Sequence, residues 1–153
     1  EYILGGGKAS LVLVGKRGLG ADQALVEMNE SVRRRVIEVG YVDPGDLPKL
    51  YVGAKAFLFP SRYEGFGLPL LEAFACGVPV IASDIASIPE VAGEAAILLN
   101  VDDVAVWSEA MKRIADDSEL REKLIKAGLE RVDDYSWVRL AATTWEVLAL
   151  GLD

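Results

Sequence analysis

Two glutamates and a glycine-rich loop are the residues of this sequence best suited to chemistry. Glu64 and Glu72 lie eight positions apart, and the loop between them reads Gly65-Phe66-Gly67-Leu68-Pro69. An apolar strand-like run precedes the loop and a helical pattern follows it, so the loop is predicted at the carboxyl edge of a parallel sheet, where open α/β folds bind ligands. Pro69 suits the first helical position because its missing N–H would be unpaired there.

The loop predicts an anion site built from backbone groups. Gly65 and Gly67 remove side chains that would keep a ligand away from the main chain. The free N–H groups of Gly67, Leu68 and Leu70 are expected to face the ligand at the positive end of the helix dipole. A phosphate can then be held without a basic surface, which matters in a chain of formal charge −8.

The two carboxylates are predicted to border the same cavity as the anion. Ionised carboxylates only accept hydrogen bonds, and they can bridge two sugar hydroxyls. In the alternative interpretation, Glu64 only stabilises the helix N-terminus and Glu72 is a solvated helix residue. The spacing of the two glutamates, taken with the glycine loop, favours sugar recognition.

The composition excludes several other chemistries. The chain has 153 residues, with 16 Lys and Arg, 24 Asp and Glu, a single Cys and no His. Without His there is no Ser-His-Asp or Cys-His nucleophile pair, and Cys76 alone cannot make a disulfide scaffold or a cysteine-rich zinc site. The negative charge argues against a nucleic-acid partner. No apolar run is long enough for a membrane span, so a soluble cytoplasmic domain is expected.

Alternating apolar runs and amphipathic stretches predict a doubly wound, three-layer Rossmann-like α/β domain with a mostly parallel sheet. The length fits a single domain over residues 1–153. Strands are predicted at Leu11–Val14, Val36–Val39, Ala56–Phe59, Val78–Ala82 and Ala95–Leu99. Helices are predicted at Ala21–Arg34, Asp46–Gly53, Pro69–Cys76 and after Pro89. From residue 101 onward a helical tail is predicted, with helices capped by Asp102 or Asp103, Ser118 and Ser136.

The N-terminus departs from this pattern. Tyr2–Leu4 is typical of a strand, but only Gly5–Ser10 separates it from the run that begins at Leu11. A parallel crossover needs roughly a dozen residues or more, so the first βα unit is predicted to be shortened. Either the two runs form a hairpin-like pair, or a helix-bearing segment is missing.

The segment Glu64–Ser83 resembles the donor-binding signature of the family-4 retaining glycosyltransferases, whose Glu-x7-Glu motif is matched by Glu64 and Glu72. Four further segments resemble that family in the same order, namely Leu11–Gly15, Gly40–Val42, Leu47–Tyr51 and Ile88–Val91. The resemblance covers about residues 11 to 148. It implies the GT-B fold, in which this chain is the C-terminal, nucleotide-sugar donor-binding domain of a hexosyltransferase, with the N-terminal acceptor domain absent.

The resemblance also implies roles for the matched residues. Glu64 would be the catalytic residue that contacts hydroxyls of the transferred sugar, and Glu72 would take the ribose hydroxyls. Backbone groups would hold the sugar and the diphosphate at Gly65, Phe66, Gly67 and Leu68. The nucleotide base would lie near Gly15, Lys16, Tyr41 and Val42. No cofactor is expected, and the lack of an Asp-x-Asp motif agrees with donor binding that requires no metal.

Two departures from the family pattern bear on activity. The family's Arg and Lys that neutralise the diphosphate follow the first strand, where this chain is abbreviated; Lys8 is the candidate for the Lys, and the Arg has no match. The acceptor domain is also absent. The isolated chain is therefore predicted to bind nucleotide sugar weakly and to be inactive alone. Because a shortened first βα unit leaves a sheet edge or a helix-binding face uncovered, self-association is also predicted. The alternative is a non-catalytic or truncated folding or association fragment with an idle donor site.

Overall fold

Strands and helices alternate along the first two thirds of the chain, and three longer helices follow. The computed structural model describes residues 1–18 and 21–150; residues 19, 20 and 151–153 of the predicted domain lie outside that part. The strands are β1 (Leu11–Val14), β2 (Val36–Gly40), β3 (Phe57–Phe59), β4 (Val80–Ser83) and β5 (Ala96–Leu99). The helices are α1 (Ala21–Glu27), α2 (Glu30–Arg33), α3 (Leu47–Gly53), α4 (Leu68–Ala75), α5 (Ile88–Ala92), α6 (Val104–Asp116), α7 (Ser118–Val132) and α8 (Trp137–Leu150).

All strand pairs in the described residues are parallel, but they form two sheets. In the first sheet β1 pairs with β2, with Leu11 opposite Val36. The second has the order β3-β4-β5, with Phe57 opposite Val80. No strand pairing joins the β1–β2 sheet to the three-stranded sheet in the described part of the chain. The predicted α/β class with parallel strands is confirmed, while the expected continuous sheet is divided at this point.

Helices cover both faces of the three-stranded sheet. Successive side chains of a strand point to opposite faces, and β4 shows this directly. Val80 and Ala82 pack in one buried cluster with Phe74 of α4. Ile81 packs in a second cluster with Trp107 of α6. This part of the molecule therefore has the predicted three layers, with a fully buried central strand.

The close approach of α7 to α4 depends on a glycine. Gly128 and Phe74 are both buried, and a Cβ added at Gly128 would lie 2.8 Å from Phe74 Cδ1. No real Cβ contact is that short, so a larger residue would push the two helices apart. Since α4 begins at the glycine-rich loop, this packing fixes the helix that carries the loop.

The prediction of a strand at Tyr2–Leu4 is wrong. The segment forms local turns, in which the N–H of Gly5 donates to the carbonyl of Glu1 at 2.8 Å and that of Gly7 to the carbonyl of Tyr2 at 3.0 Å. These bonds satisfy backbone groups that a strand would offer to a neighbour. No hairpin-like pair with β1 forms among the described residues.

Two helix starts also differ from the prediction. The single helix expected over residues 21–34 is divided, because the Asn29 side chain accepts the N–H of Ser31 at 2.9 Å and caps a separate α2. Ser118 is the first residue of α7 and not its cap. Asp117 has that role, since its carboxylate accepts the N–H of Leu120 at 2.9 Å.

The predicted caps of α6 and α8 are confirmed. Asp103 accepts the N–H of Val106 at 3.2 Å, and Ser136 accepts that of Arg139 at 3.0 Å. No residue of α8 is buried, and its Trp137 is 75% exposed.

Within residues 1–18 and 21–150, no helix is both long and apolar enough to cross a bilayer. A cytoplasmic location stays a prediction.

The buried core is concentrated after β2. Among the described residues before α3, only Val36 is buried, and the side chains of Val12, Leu13 and Val14 in β1 are 38–46% exposed. Both buried clusters, with the side chains packed against them, lie between residues 47 and 132. The β1–β2 sheet is therefore much less covered than parallel strands usually are.

Candidate functional site

The candidate site is built on the loop from Pro60 to Gly67, which joins β3 to α4. It follows the carboxyl end of β3, as predicted. Gly67 is buried, precedes α4 as its N-cap and has a φ of +101°, a backbone conformation in which a Cβ is strained. No side chain caps α4, so its N-terminus is open to an acceptor from elsewhere.

One of the three predicted donors at this helix start is already engaged. The N–H of Leu70 donates to the carbonyl of Gly67 at 3.0 Å, so the prediction that it is free for a ligand is wrong. A tight bond of this kind commonly satisfies an orphan N–H in a first helical turn. In the described part of the chain, the N–H groups of Gly67 and Leu68 have no such partner. Two backbone donors at this helix start are therefore without a protein partner among the described residues.

Glu64 is partly buried and is held by two serines. The Ser61 hydroxyl donates to Glu64 Oε1 at 2.8 Å, and the Ser87 hydroxyl donates to the Glu64 carbonyl at 3.0 Å. Glu64 takes part in none of the ion pairs among the described residues. The carboxylate is thus oriented by a neutral donor and keeps Oε2 free to accept another hydrogen bond.

Glu72 is exposed in the second turn of α4 and is contacted from α3. The Tyr51 hydroxyl donates to Glu72 Oε2 at 3.2 Å. Burial of the Tyr51 ring, and then the negative charge of Glu72, raise the pKa of Tyr51 well above its usual value. The phenol therefore stays protonated and remains a donor to the carboxylate. Glu72 Oε1 is left for a ligand hydroxyl.

Three of the four residues predicted near a nucleotide base line one cavity. Gly15, Lys16 and Tyr41 surround a space of about 630 Å³ at the carboxyl ends of β1 and β2. Val42 does not line it. The opposite wall is apolar and comes from α1 and the residue after it, through Ala24, Leu25 and Met28. A concave, mostly apolar space with a few polar groups is typical of a small-molecule site.

Arg17 lines the same cavity and was not singled out by sequence. Its Nε donates to Glu38 at 2.8 Å, and its guanidinium also pairs with Asp22. The hydrogen bond to Glu38, with that to Asp22, raises the pKa of Arg17. The signal that could have found it is its position directly after Gly15-Lys16 at the end of a strand.

The remaining predicted contact, Lys8, lies apart from both groups. Its side chain is exposed, and its carbonyl accepts a hydrogen bond from Arg35, at the start of β2. It does not line the cavity. No described hydrogen bond joins Lys8 to the loop that carries Glu64. The diphosphate role of Lys8 therefore stays a prediction.

The one cation inside the Pro60–Gly67 loop is already paired. Arg62 donates to the carboxylate of Asp102, beyond β5, and this hydrogen bond lowers the pKa of Asp102. Both side chains are exposed, so the pair adds little stability. An anion at this loop is left mainly to the backbone donors of α4.

Several known proteins resemble this chain in sequence and in fold. A model of the family described as glycosyl transferases group 1 matches residues 6–131. O-antigen chain mannosyltransferase B of Escherichia coli is 41% identical over 137 residues, which cover 88% of this chain and 35% of that protein. Serotype-specific mannosyltransferase WbdA of Escherichia coli is 36% identical over 124 residues, 81% of this chain and 15% of its own length. The chain thus spans about a third or less of these relatives.

Two solved structures have the same fold as this chain. Sucrose-phosphate synthase from Thermosynechococcus elongatus superposes with a TM-score of 0.83 at 31% identity, covering 97% of this chain and 40% of that one. HepE from Anabaena, in complex with UDP-glucose, gives a TM-score of 0.77 at 20% identity, covering 92% of this chain and 40% of that one. Both share the Rossmann-like arrangement of parallel strands and helices described above.

Proposed function

Because the chain belongs to the glycosyl transferases group 1 family, we propose that it is the nucleotide-sugar donor-binding half of a retaining, family-4 glycosyltransferase of GT-B fold. The observation that carries this proposal is the start of α4. There two unpaired N–H groups, at Gly67 and Leu68, follow a loop whose carboxylate, Glu64, keeps one oxygen free. Donors for a phosphate and an acceptor for a sugar hydroxyl belong to the same short segment.

The proposed roles are those that the family resemblance implies for the matched residues. Glu64 contacts hydroxyls of the transferred sugar, and Glu72 accepts from the ribose. As the bond from the anomeric carbon to the diphosphate breaks, negative charge grows on the leaving oxygen, and the α4 N-terminus stabilises it. The sugar and diphosphate are held by the backbone of Gly65, Phe66, Gly67 and Leu68. The base is proposed to lie near Gly15, Lys16, Tyr41 and Val42, and Lys8 is the proposed lysine for the diphosphate.

Mannose is the proposed hexose, since both curated relatives compared above are mannosyltransferases. The acceptor side is proposed to lie on an N-terminal domain outside this chain, because the chain spans about a third or less of those relatives. Alignment of both substrates supplies a large part of the barrier reduction, so the chain alone is expected to bind donor without transferring sugar.

Donor binding without a metal is part of the same proposal. The described residues contain no group of three or more His, Cys, Asp or Glu side chains placed to hold one ion. Titration of the chain with and without added Mg²⁺ tests this, and an affinity for GDP-mannose that requires the ion would contradict it.

Isothermal titration with GDP, GDP-mannose, UDP and UDP-glucose tests the donor site. We expect saturable but weak binding of at least one probe, with a Kd of about 1 mM or lower. Glu72→Gln should weaken that binding, whereas Glu122→Gln, at an exposed glutamate of α7, should leave it unchanged. No heat with any probe at millimolar concentration favours the idle fragment, and transfer of labelled mannose by the chain alone refutes its inactivity.

A further inference from the structure

Three serine hydroxyls from three different segments hold the loop that carries Glu64. Ser61 lies two residues beyond β3, Ser83 ends β4, and Ser87 precedes α5. Ser61 reaches the Glu64 carboxylate, while Ser87 reaches the Glu64 carbonyl. The fully buried Ser83 donates to the carbonyl of Ser61. The side chain, the main chain and the base of the loop are each fixed by a different hydroxyl.

The Ser61 hydroxyl has one proton and two acceptors within reach. Its Oγ lies 2.8 Å from Glu64 Oε1 and 3.1 Å from the carbonyl of Tyr63. A bond to an ionised acceptor is shorter and stronger than one to a neutral carbonyl, so the proton is donated to Glu64.

The Ser87 hydroxyl forms a hydrogen bond with the Glu64 loop and does not cap α5, the helix that it precedes. A serine at an N-cap usually accepts an N–H of the first helical turn. Ser87 makes no such bond and donates to Glu64 instead. The preceding Ala86 has a φ of +49°, which is uncommon for a residue with a Cβ. The backbone here holds the Ser87 hydroxyl toward Glu64.

We propose that Ser61 is the residue that positions Glu64 for the donor sugar, with Ser83 and Ser87 fixing the backbone around it. Ser61 occupies Oε1 and thereby limits rotation of the carboxylate, so that Oε2 accepts from a hydroxyl of the hexose. The nucleoside diphosphate makes no contact with Glu64 in this arrangement. Ser61 therefore controls affinity for the sugar part of the donor only. This inference rests on the donor-binding function proposed above.

Titration of Ser61 variants with GDP and GDP-mannose separates positioning from a structural effect. Ser61→Ala should weaken the binding of GDP-mannose by about 10-fold or more, as loss of a hydrogen bond to a charged group does, and leave the affinity for GDP unchanged. Ser61→Thr, which keeps the hydroxyl, should bind both as the wild type does. Ser118→Ala, at an exposed serine of α7, is the matched control. Should Ser61→Ala fail to fold, the near-isosteric Ser61→Cys, a weak donor, replaces it.

The outcomes distinguish this inference from the function on which it rests. Equal affinities of wild type and Ser61→Ala for GDP-mannose overturn the positioning role and leave the donor site standing. An equal loss of affinity for GDP and GDP-mannose in Ser61→Ala also overturns the positioning role, since it indicates that the whole loop has changed conformation. If the wild type binds none of the nucleotides, the donor site itself is refuted. In a Glu64→Ala background, which has no side-chain acceptor for the Ser61 hydroxyl, Ser61→Ala should have no further effect on the affinity for GDP-mannose.

Discussion

The two glycines of the site loop differ in what their backbone requires. Gly67 has a φ of +101°, while Gly65 has no atom within 4 Å of an added Cβ and no left-handed φ. At Gly67 the nearest atom to an added Cβ is Leu70 Cδ1 at 3.7 Å, an ordinary contact. The requirement for glycine at position 67 is therefore conformational and not steric.

Gly67→Ala should lower the free energy of unfolding by about 1–2 kcal/mol, because an L-residue in the left-handed region carries a strain of that size. Gly65→Ala is the matched control and should change stability by less than about 0.5 kcal/mol. Urea unfolding of the two variants measures both values. Equal stability of the two variants would show that the +101° conformation is not needed for the fold.

The raised pKa of Tyr51 predicts a loss of stability in alkali. The fold favours the protonated phenol, so this contribution is complete below the unfolded pKa of about 10 and is lost as the pH rises toward the folded value. Tyr51→Phe should show a shallower decline of the unfolding free energy between about pH 9.5 and 11 than the wild type. Tyr63→Phe, at an exposed tyrosine, should keep the wild-type slope. Urea unfolding across this pH range measures the three slopes, and identical slopes would contradict the assignment.

Sequence identifies the charged residues of the candidate site more readily than the residues that donate hydrogen bonds to them. Glu64, Glu72 and the loop glycines stand out because their types and spacing are local features. The Tyr51–Glu72 hydrogen bond spans 21 positions between two helices, and it exists only because α3 and α4 pack on the same sheet. Ser61 lies three positions before Glu64, but nothing in that spacing distinguishes a hydroxyl that bonds to a carboxylate from one in an ordinary turn.

Because α4 packs closely against α7, replacing Gly128 by alanine is expected to destabilise the protein, which is the opposite of the usual effect in a helix. Alanine in a helix interior normally stabilises by roughly 1 kcal/mol relative to glycine. Gly128→Ala should instead destabilise by about 1–2 kcal/mol, because overpacking against the buried Phe74 exceeds that gain. Gly53→Ala, in the last turn of α3 with open space around it, should be neutral or stabilising. Thermal unfolding of the pair measures the difference, and a more stable Gly128→Ala would mean that α7 can move away from α4.

The five strands of the described residues lie at the apolar runs that predicted them, although only the β3-β4-β5 sheet is covered on both faces as such runs imply. The errors come from features that compete locally with this pattern. Tyr2–Leu4 has strand-forming side chains, but the following glycines close turns on it. Asn29 divides a helical pattern by capping, and Asp117 takes the cap from Ser118 because it ends α6 at the same point. Backbone hydrogen bonding outweighed side-chain type in each case.

At the scale of the whole molecule, the described residues include two exposed apolar surfaces. The first is the β1–β2 sheet, whose Ile37 is 51% exposed; the second is α8, whose Trp145 is 69% exposed. Monomeric soluble proteins rarely leave apolar surfaces of this extent uncovered. We therefore expect the chain to self-associate at high concentration, as its sequence predicts.

Sedimentation velocity over a range of concentrations tests this association. The sedimentation coefficient should rise with concentration, and the tryptophan emission should shift to the blue as Trp137 and Trp145 lose contact with water. Replacing both tryptophans by Ser should reduce the association, while Trp107 in the core reports that the fold is intact. A strictly monomeric wild type at high concentration would contradict the prediction.

The near absence of buried side chains before α3 has a thermodynamic consequence for any ligand in the Gly15–Tyr41 cavity. A region with so little core opens by sub-global fluctuations at a lower free energy than the rest of the chain. A nucleotide base entering this cavity would have to suppress those openings, and the lost conformational entropy would offset part of its contact energy. Coupled ordering of this kind buries apolar surface and gives a negative heat-capacity change on binding. The β1–β2 side of the proposed donor site would thus be ordered by its own ligand, while the α4 side is already packed into a buried cluster.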